Sequence, residues 1–442
     1  MDDRELAFRI LRGFERTGSP IEPELDAAGD DDRAARFIRT IVSGVLRWRS
    51  LLDHIIVTLA RRPVSDIDPD ALLALRIGVY QVFYMNVPAH AAVSESVDLA
   101  AKHIPRARGF VNAILRKAST SDLQGFIPDG SDPRSVALRW SHPEWLIARW
   151  ARQFGPDRAE AIARSNQELS HPDLLVNTAK IPVDEIKAQL KAEDRDVVRS
   201  LLDPAMLKLR GSTRDLAERI EQGFVYPMDE GSGVIARLIA EPGERILDLS
   251  AAPGGKSMAM ALAGAGVSAC DISLERILPL ARIWRAFFGS TAPIVVADGS
   301  RPPFRRLFDR VLLDAPCSGT GILRKHPGIR WRLSEARIRG HAEAQARLLH
   351  SALDLAEDRC LYTTCSLEKE ENDDVVLRVL RERDDFALMD LAGSASPEIA
   401  PWIQRSVLRL TPESGADGFT AIMVKRVRKP DARSVDIPRA LP

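Results

Sequence analysis

From Gly231 onward, short runs rich in Leu, Ile and Val alternate with helical spacing: RILDLS, VSACDIS, PIVVAD, RVLLDAP and CLYTTCS. Strands separated by helices predict βαβ units and a parallel, doubly wound sheet. The first of these strands runs into Asp248-Leu-Ser-Ala-Ala-Pro-Gly-Gly-Lys-Ser257 and then into a helix of small residues. In such a sheet, ligands sit beyond the carboxyl ends of the strands, where glycine lets the backbone approach and the next helix offers free amides. Ser250, Ala251, Ala252, Pro253, Gly254, Gly255 and Lys256 are therefore a candidate cradle for a nucleotide-like cofactor. The loop is not a P-loop, because the position five before Gly255 is Ser250. It also lacks the GxGxxG of dinucleotide folds.

The chain is too long for one core: 442 residues exceed the roughly 250–300 at which a single core stops growing. From Glu5 to about Lys117 the apolar spacing is helical, as in Phe37, Ile41 and Val45 with Val42 and Leu46 beside them. Breaks fall at Arg62-Pro63, Asp68-Pro69 and Val87-Pro88. Ser119 to Ser135 is polar, with Gly and Pro, and reads as a linker. Beyond it, PEWLIARWARQFG has helical spacing, LLVNTAK reads as a strand and VDEIKAQLKAEDR as a helix, which together suggest a small α+β module. The expected domains are an all-α bundle over 1–125, a linker and α+β module over 126–230, an α/β domain over 231–429 and a flexible tail over 430–442.

Several classes are excluded. The Ala/Gly-rich uncharged stretch Ser257 to Cys270 falls short of the about 18–20 apolar residues of a membrane span. The acidic start MDDRELAFRI is no secretory signal, and four cysteines are too few for a disulfide scaffold, so a reducing, cytoplasmic setting is expected. No CxxC pair occurs, so no metal site is expected. Lys plus Arg equals Asp plus Glu at 62 each, so total charge announces no nucleic-acid partner. Distribution does: residues 301–340 hold ten basic side chains against three acidic ones, a candidate basic patch with Trp331 and His326 as stacking surfaces.

The remaining signals lie at strand ends. Asp271 ends the second strand, 23 residues beyond Asp248 and near the roughly 20-residue offset at which an acid reaches a ribose hydroxyl. Asp298 ends the third. With the glycine loop, these acids favour S-adenosylmethionine over a dinucleotide. The fourth strand delivers Asp314-Ala-Pro-Cys317 and the fifth Thr364-Cys365-Ser366, which places two thiols on the cofactor rim and suggests covalent chemistry. Cys270 and Cys360 sit inside strand-like runs and read as inert.

On DLSAAPGGKS, DAPCSGTG and TCSLEKEEN, with SGVLRWRSLLD, LRIGVYQVFYMNVPAHAAVSESVDLA and GFVNAILRK in the first domain, the sequence resembles the bacterial RNA cytosine-5 methyltransferases that carry a fused NusB-like amino-terminal domain. The resemblance covers nearly the whole chain. It implies a multidomain fold: an all-α NusB-like bundle, a small α+β RNA-recognition-like module and an α/β Rossmann-like class I methyltransferase domain. It further implies that Ser250 to Lys256 wrap S-adenosylmethionine, that Asp271 binds its ribose and that Asp298 lies near the adenine. Asp314 would contact base or cofactor, Cys365 would attack C6 of cytosine, and Cys317 would assist loss of the C5 proton and release of the enzyme. The implied partner is small-subunit rRNA or an assembly intermediate, bound by a monomer, without membrane or metal. Two alternatives stand beside it: a tRNA cytosine-5 methyltransferase, and a non-catalytic RNA-binding ribosome-assembly factor. The chain departs from the family's usual pattern at Met228 (usually Gln), Gly328 (usually Asp), Glu357-Asp358-Arg359 (usually glycines) and Thr420 (usually Phe).

Overall fold

The computed structural model describes residues 3–28, 33–211, 213, 216–394 and 396–427. The expected tail at 430–442 lies outside them. The chain forms two compact units: residues up to Glu168 together with Leu323–Arg332, and Leu169–Ile322 together with the chain from Leu333 onward.

The first unit is helical. Helices Asp3–Thr17, Arg33–Ala60, Pro69–Tyr84, Ala89–His103 and Arg108–Ala118 share one core that includes Phe8, Leu11, Ile41, Val45, Leu52, Ile55 and Leu75. The proline breaks act as helix starts: Asp68 Oδ1 accepts the Asp70 and Ala71 N–H groups, and Pro69 occupies the first turn, where no amide is needed. Helices Pro133–Arg139, Glu144–Phe154 and Pro156–Ser165 also fall in this unit, whereas the sequence spacing groups them with the α+β module. Trp150 is completely buried there, and the Ser50 N–H donates to Ser141 Oγ at 2.9 Å.

Leu323–Arg332 corrects the basic-patch expectation. Arg330 is 1% exposed, and its Nη1 donates to the Ser141 carbonyl at 2.9 Å. Arg47 donates to the Asn166 and Arg324 carbonyls at 2.9 and 2.7 Å. Trp331 Nε1 donates to the Leu46 carbonyl at 2.6 Å, its ring packs on the helical core, and His326 Nδ1 lies 2.8 Å from Glu22 Oε1. Arg310, in the second unit, is 4% exposed and pairs with Glu241 at 3.2 Å. These groups serve internal packing, which the residue count alone does not reveal. Arg301, Arg305, Arg306, Arg337 and Arg339 are the members that stay exposed.

Gly328 sits tightly in the same segment. A Cβ there would lie 3.2 Å from Phe14 Cε2 and 3.4 Å from Leu46 Cδ1. The carboxylate of Gly328→Asp would be pressed against apolar groups, and urea unfolding is expected to show a loss of about 1–3 kcal/mol. Unchanged stability would show that the segment yields freely.

The second unit begins with an antiparallel sheet of β1 (Asp173–Val176), β2 (Asp196–Arg199), β3 (Met206–Arg210) and β4 (Val225–Pro227), in the order β2-β3-β1-β4. A nine-stranded sheet follows. Its parallel part is β5 (Arg245–Asp248), β6 (Gly266–Asp271), β7 (Ile294–Val296), β8 (Phe308–Asp314) and β9 (Ala356–Thr364), in the order β9-β8-β5-β6-β7. Strands β10 (Phe386–Leu388), β11 (Ile403–Gln404), β12 (Val407–Leu410) and β13 (Phe419–Arg426) extend it antiparallel beyond β9. Successive side chains serve opposite faces: Ile246, Leu312 and Leu361 join one core cluster, and Leu247, Val311, Leu313 and Tyr362 the other. Burial on both faces explains why these strands read as continuous apolar runs. Strand order reverses between β5 and β8, and ligands bind outside the carboxyl ends at such a point.

The small sheet is fastened to the large one through acids. Asp173 Oδ2 accepts the Glu230 N–H at 2.9 Å, and Glu230 accepts from Lys208 and Ser200. Burial, reinforced by Asp229 and Glu230, pushes the Asp173 carboxyl up to about 7. A folded-state pKa above the ordinary value favours the protonated acid. Its stabilisation is therefore complete below about pH 4 and lost as pH rises through 7. Asp173→Asn is expected to narrow the fall in Tm between pH 4 and pH 8 by roughly 5 °C. An identical pH profile in the variant would refute the assignment.

No helix among the described residues is long and apolar enough to cross a membrane.

Candidate active site

The chain leaves β5 at Asp248, whose Oδ2 accepts Ser257 Oγ at 2.6 Å. Asp248 is 1% exposed, its Oδ1 has no partner, and burial, with Asp314 nearby, pushes its carboxyl up to about 7. The loop then turns over β6: the Ala251 N–H donates to the Cys270 carbonyl at 2.9 Å and the Ala252 N–H to Asp271 Oδ2 at 3.0 Å. Gly254, at φ +112°, begins the helix Gly255–Leu262. A side chain there would be strained, and its Cβ would meet Leu280 at 2.5 Å.

This loop forms one wall of a cleft of about 180 Å³. Ser250 to Lys256 line it with Asp248 and Asp314, and Tyr226, Pro227, Met228, Asp229 and Ser232 close the other side. Asp271 supports the loop from beneath, with its other carboxylate oxygen accepting the Ser273 N–H at 2.9 Å. Asp298 lies in the exposed turn after β7, outside the cleft lining, and its hydrogen bonds from Ser300 hold its carboxyl below the usual range.

Lys256 Nζ donates to Asp314 Oδ2 at 2.7 Å and stands 4.9 Å above the Phe419 ring. Burial alone would lower the ammonium's pKa, but Asp314, Asp248 and Cys365 outweigh it and raise it. Lys256 therefore stays cationic in a nearly dry setting. Cys317, three residues past Asp314 at the end of β8, and Cys365, just past the end of β9, bring their sulfurs to 3.2 Å as free thiols. The hydrogen bond between the two sulfurs, then burial, pushes the Cys317 thiol well up. Cys270 and Cys360 are buried away from this pair, with burial raising both thiols. No group of three or more His, Cys, Asp or Glu suited to a metal ion occurs among the described residues.

Cys317, Cys365, Asp314 and the Ser250–Lys256 loop thus meet at the carboxyl ends of β5, β8 and β9. Sequence reasoning misses Tyr226, Asp229, Ser232 and Phe419, and treats Asp248 only as a strand end. Tyr226 and Asp229 arrive from the β4 end of the small sheet, a placement set by tertiary folding. Met228 is the one signal, because YPMDEGS already departs from the usual pattern.

Comparison with known proteins agrees with this architecture. The 16S rRNA methyltransferase RsmB/F family matches residues 235–424, the NusB family 1–120, and a ferredoxin-like domain of RsmF/B-like methyltransferases 142–214. Ribosomal RNA small subunit methyltransferase B of Pseudomonas putida is 30% identical over 93% of this chain and 94% of its own. A putative methyltransferase of Mycobacterium tuberculosis is 32% identical over 96% of both chains. The crystal structure of PH0851 superposes with a TM-score of 0.76 at 25% identity, covering 96% of this chain and 99% of that one. The structure of NSun6 from Pyrococcus horikoshii with SFG shares the fold, with a TM-score of 0.57 at 20% identity over 65% of this chain and 99% of its own. By the extent of these matches, and with its helical NusB domain, ferredoxin-like module and Rossmann-like domain in that order, the chain belongs to the family of ribosomal RNA small subunit methyltransferase B.

Proposed function

We propose that the protein transfers a methyl group from S-adenosylmethionine to C5 of a cytosine in small-subunit (16S) rRNA, through a covalent bond between Cys365 and C6 of the base. The observation that carries this reading is the pair of free thiols 3.2 Å apart beside the Lys256–Asp314 pair, on the rim of the glycine-loop cleft. The substrate class rests on the names of the relatives.

The cleft fits the cofactor. Gly254 lets the loop seat closely on Leu280, where a Cβ would clash, and the partnerless Asp248 Oδ1 offers an acceptor to a cationic ligand. Ser250, Ala251, Ala252, Pro253, Gly254, Gly255 and Lys256 would wrap it. Asp271 keeps lone pairs for the ribose, and Asp298 would lie near the adenine. S-adenosylmethionine supplies an electrophilic methyl group when bound.

The chain's own residues do the rest. The target base leaves its stack to enter the site. Cys365 adds to C6 as thiolate, which breaks the ring conjugation and makes C5 nucleophilic. Asp314, held by Lys256, faces the base and orients it. Cys317 assists removal of the C5 proton; the C5–C6 double bond re-forms and expels the Cys365 thiolate. The exposed Arg301, Arg305 and Arg306 supply phosphate contacts that carry affinity without sequence information. A reducing cytoplasm keeps both thiols free, and every group named comes from a single chain, as a monomeric enzyme requires.

The test is incubation with labelled S-adenosylmethionine and unmodified small-subunit rRNA, followed by mapping of the labelled nucleotide. Label at one cytosine is expected. Label on tRNA instead would replace the substrate and keep the chemistry, and cofactor binding without label on any RNA would favour a non-catalytic assembly factor.

A further inference from the structure

Behind the two thiols lies one buried carboxylate. Glu371, in the short turn Lys369–Glu371 after β9, is 0% exposed. Its Oε1 accepts the Ser318 N–H at 2.8 Å and Gln345 Nε2 at 3.3 Å. Its Oε2 accepts the hydroxyls of Ser318 and Ser366. Ser318 follows Cys317 and Ser366 follows Cys365, so one side chain grips the residue beyond each thiol. Gln345 also donates to the Pro316 carbonyl at 2.9 Å and holds the Cys317 loop on its other flank.

A buried carboxylate is tolerated only when donors fill its lone pairs, and one so filled makes a stiff connection. Here three of the four donors come from two loops that are 48 residues apart at their cysteines. Glu371 does not line the cleft; its charge bears on the Cys317 thiol, and its hydrogen bonds reach both thiol loops through the serines.

We infer that Glu371 is a positioning residue: its carboxylate fastens the Cys317 and Cys365 loops together at the spacing that lets both thiols serve one base. The inference rests on the two-thiol reading above, and its test separates the two.

The spacing can be measured without RNA. Diamide oxidises two adjacent thiols to a disulfide, the two hydrogens passing to its N=N bond to give the hydrazine. The rate of Cys317–Cys365 disulfide formation in the full chain, mapped by mass spectrometry, reports how often the sulfurs meet. Glu371→Ala is expected to slow that coupling about tenfold and to lower kcat about 100-fold, with KM for RNA and cofactor binding within about twofold of wild type. Glu371→Gln keeps an acceptor for the Ser318 N–H and is expected to recover kcat to within about tenfold. Should Glu371→Ala fail to fold, Ser318→Ala with Ser366→Ala removes only the hydroxyl links, and about a tenfold loss of kcat with slower coupling is expected. Wild-type coupling and kcat in a folded variant would overturn the inference. So would losses of melting temperature and cofactor binding that match the loss of kcat, since they would reduce Glu371 to a structural role. A wild-type protein that methylates no RNA would sink the two-thiol reading instead, and the coupling rate would still decide Glu371.

Discussion

Cys365→Ala is expected to abolish methyl transfer, by about 10⁴-fold or more, and to form no adduct with RNA carrying 5-fluorocytosine. Cys317→Ala is expected to do the reverse of the second part and accumulate a denaturation-resistant protein–RNA bond. The asymmetry follows from the site. The bond to Cys365 and burial push the Cys317 thiol well up, which disfavours Cys317 as the attacking thiolate. Losing the attacking sulfur stops the reaction before any bond to the base exists. Losing its neighbour lets the bond form and removes the group that helps undo it. Both variants should bind S-adenosylmethionine as wild type does, because neither cysteine lines the cleft. An adduct trapped by Cys365→Ala and absent from Cys317→Ala would exchange the two roles.

Gly321→Ala is expected to be the most damaging change of a single methyl group. The Gly321 N–H donates to the Cys365 carbonyl at 2.9 Å, and its own carbonyl accepts the Gly418 N–H at 2.8 Å. Three backbones therefore close at one point: the Cys317 loop, the end of β9 and the start of β13. A Cβ on Gly321 would overlap the Gly418 carbonyl and approach the Cys365 carbonyl at 2.9 Å, and neither is the end of a flexible side chain. Relief requires backbone movement, at about 3 kcal/mol in urea unfolding, with a loss of about 100-fold in kcat from displaced thiols. A variant with wild-type stability and turnover would show that these strands part without consequence.

Much of this site is legible in the sequence because its parts are local. A strand buried on both faces is a run of Leu, Ile and Val, and the residues at its end are then placed on the rim by the sheet itself, which is why Cys317 and Cys365 can be paired across 48 residues. What stays hidden depends on distant partners. Nothing in PWIQRSVLRL or GFTAIMVKR announces that β10 to β13 run antiparallel to the rest, and β11 is only two residues long. The charge count over 301–340 is correct, yet Arg330 and Arg310 are buried and Trp331 is tied to Leu46, because a guanidinium's fate is decided by which carbonyls and carboxylates the fold brings to it. Thr420, at a position usually held by Phe, shows the same limit: it is 2% exposed, and its hydroxyl donates to the Ser366 carbonyl at 3.2 Å, a contact visible only once β13 lies beside β9.

The membership of Leu323–Arg332 bears on how the protein can be taken apart. The polypeptide passes from one unit to the other three times, so no single cut releases either one intact. A fragment starting at Leu169 would carry those ten residues without Ser141, Asn166 and Leu46, which satisfy Arg330 and Trp331 in the whole chain. It would expose an indole and leave a guanidinium without two of its three carbonyls directly after the Cys317 loop. Expression of the α/β part by itself should therefore give a sticky, poorly active product, and adding the separate helical fragment in trans should restore it only by supplying the missing half of that small buried cluster.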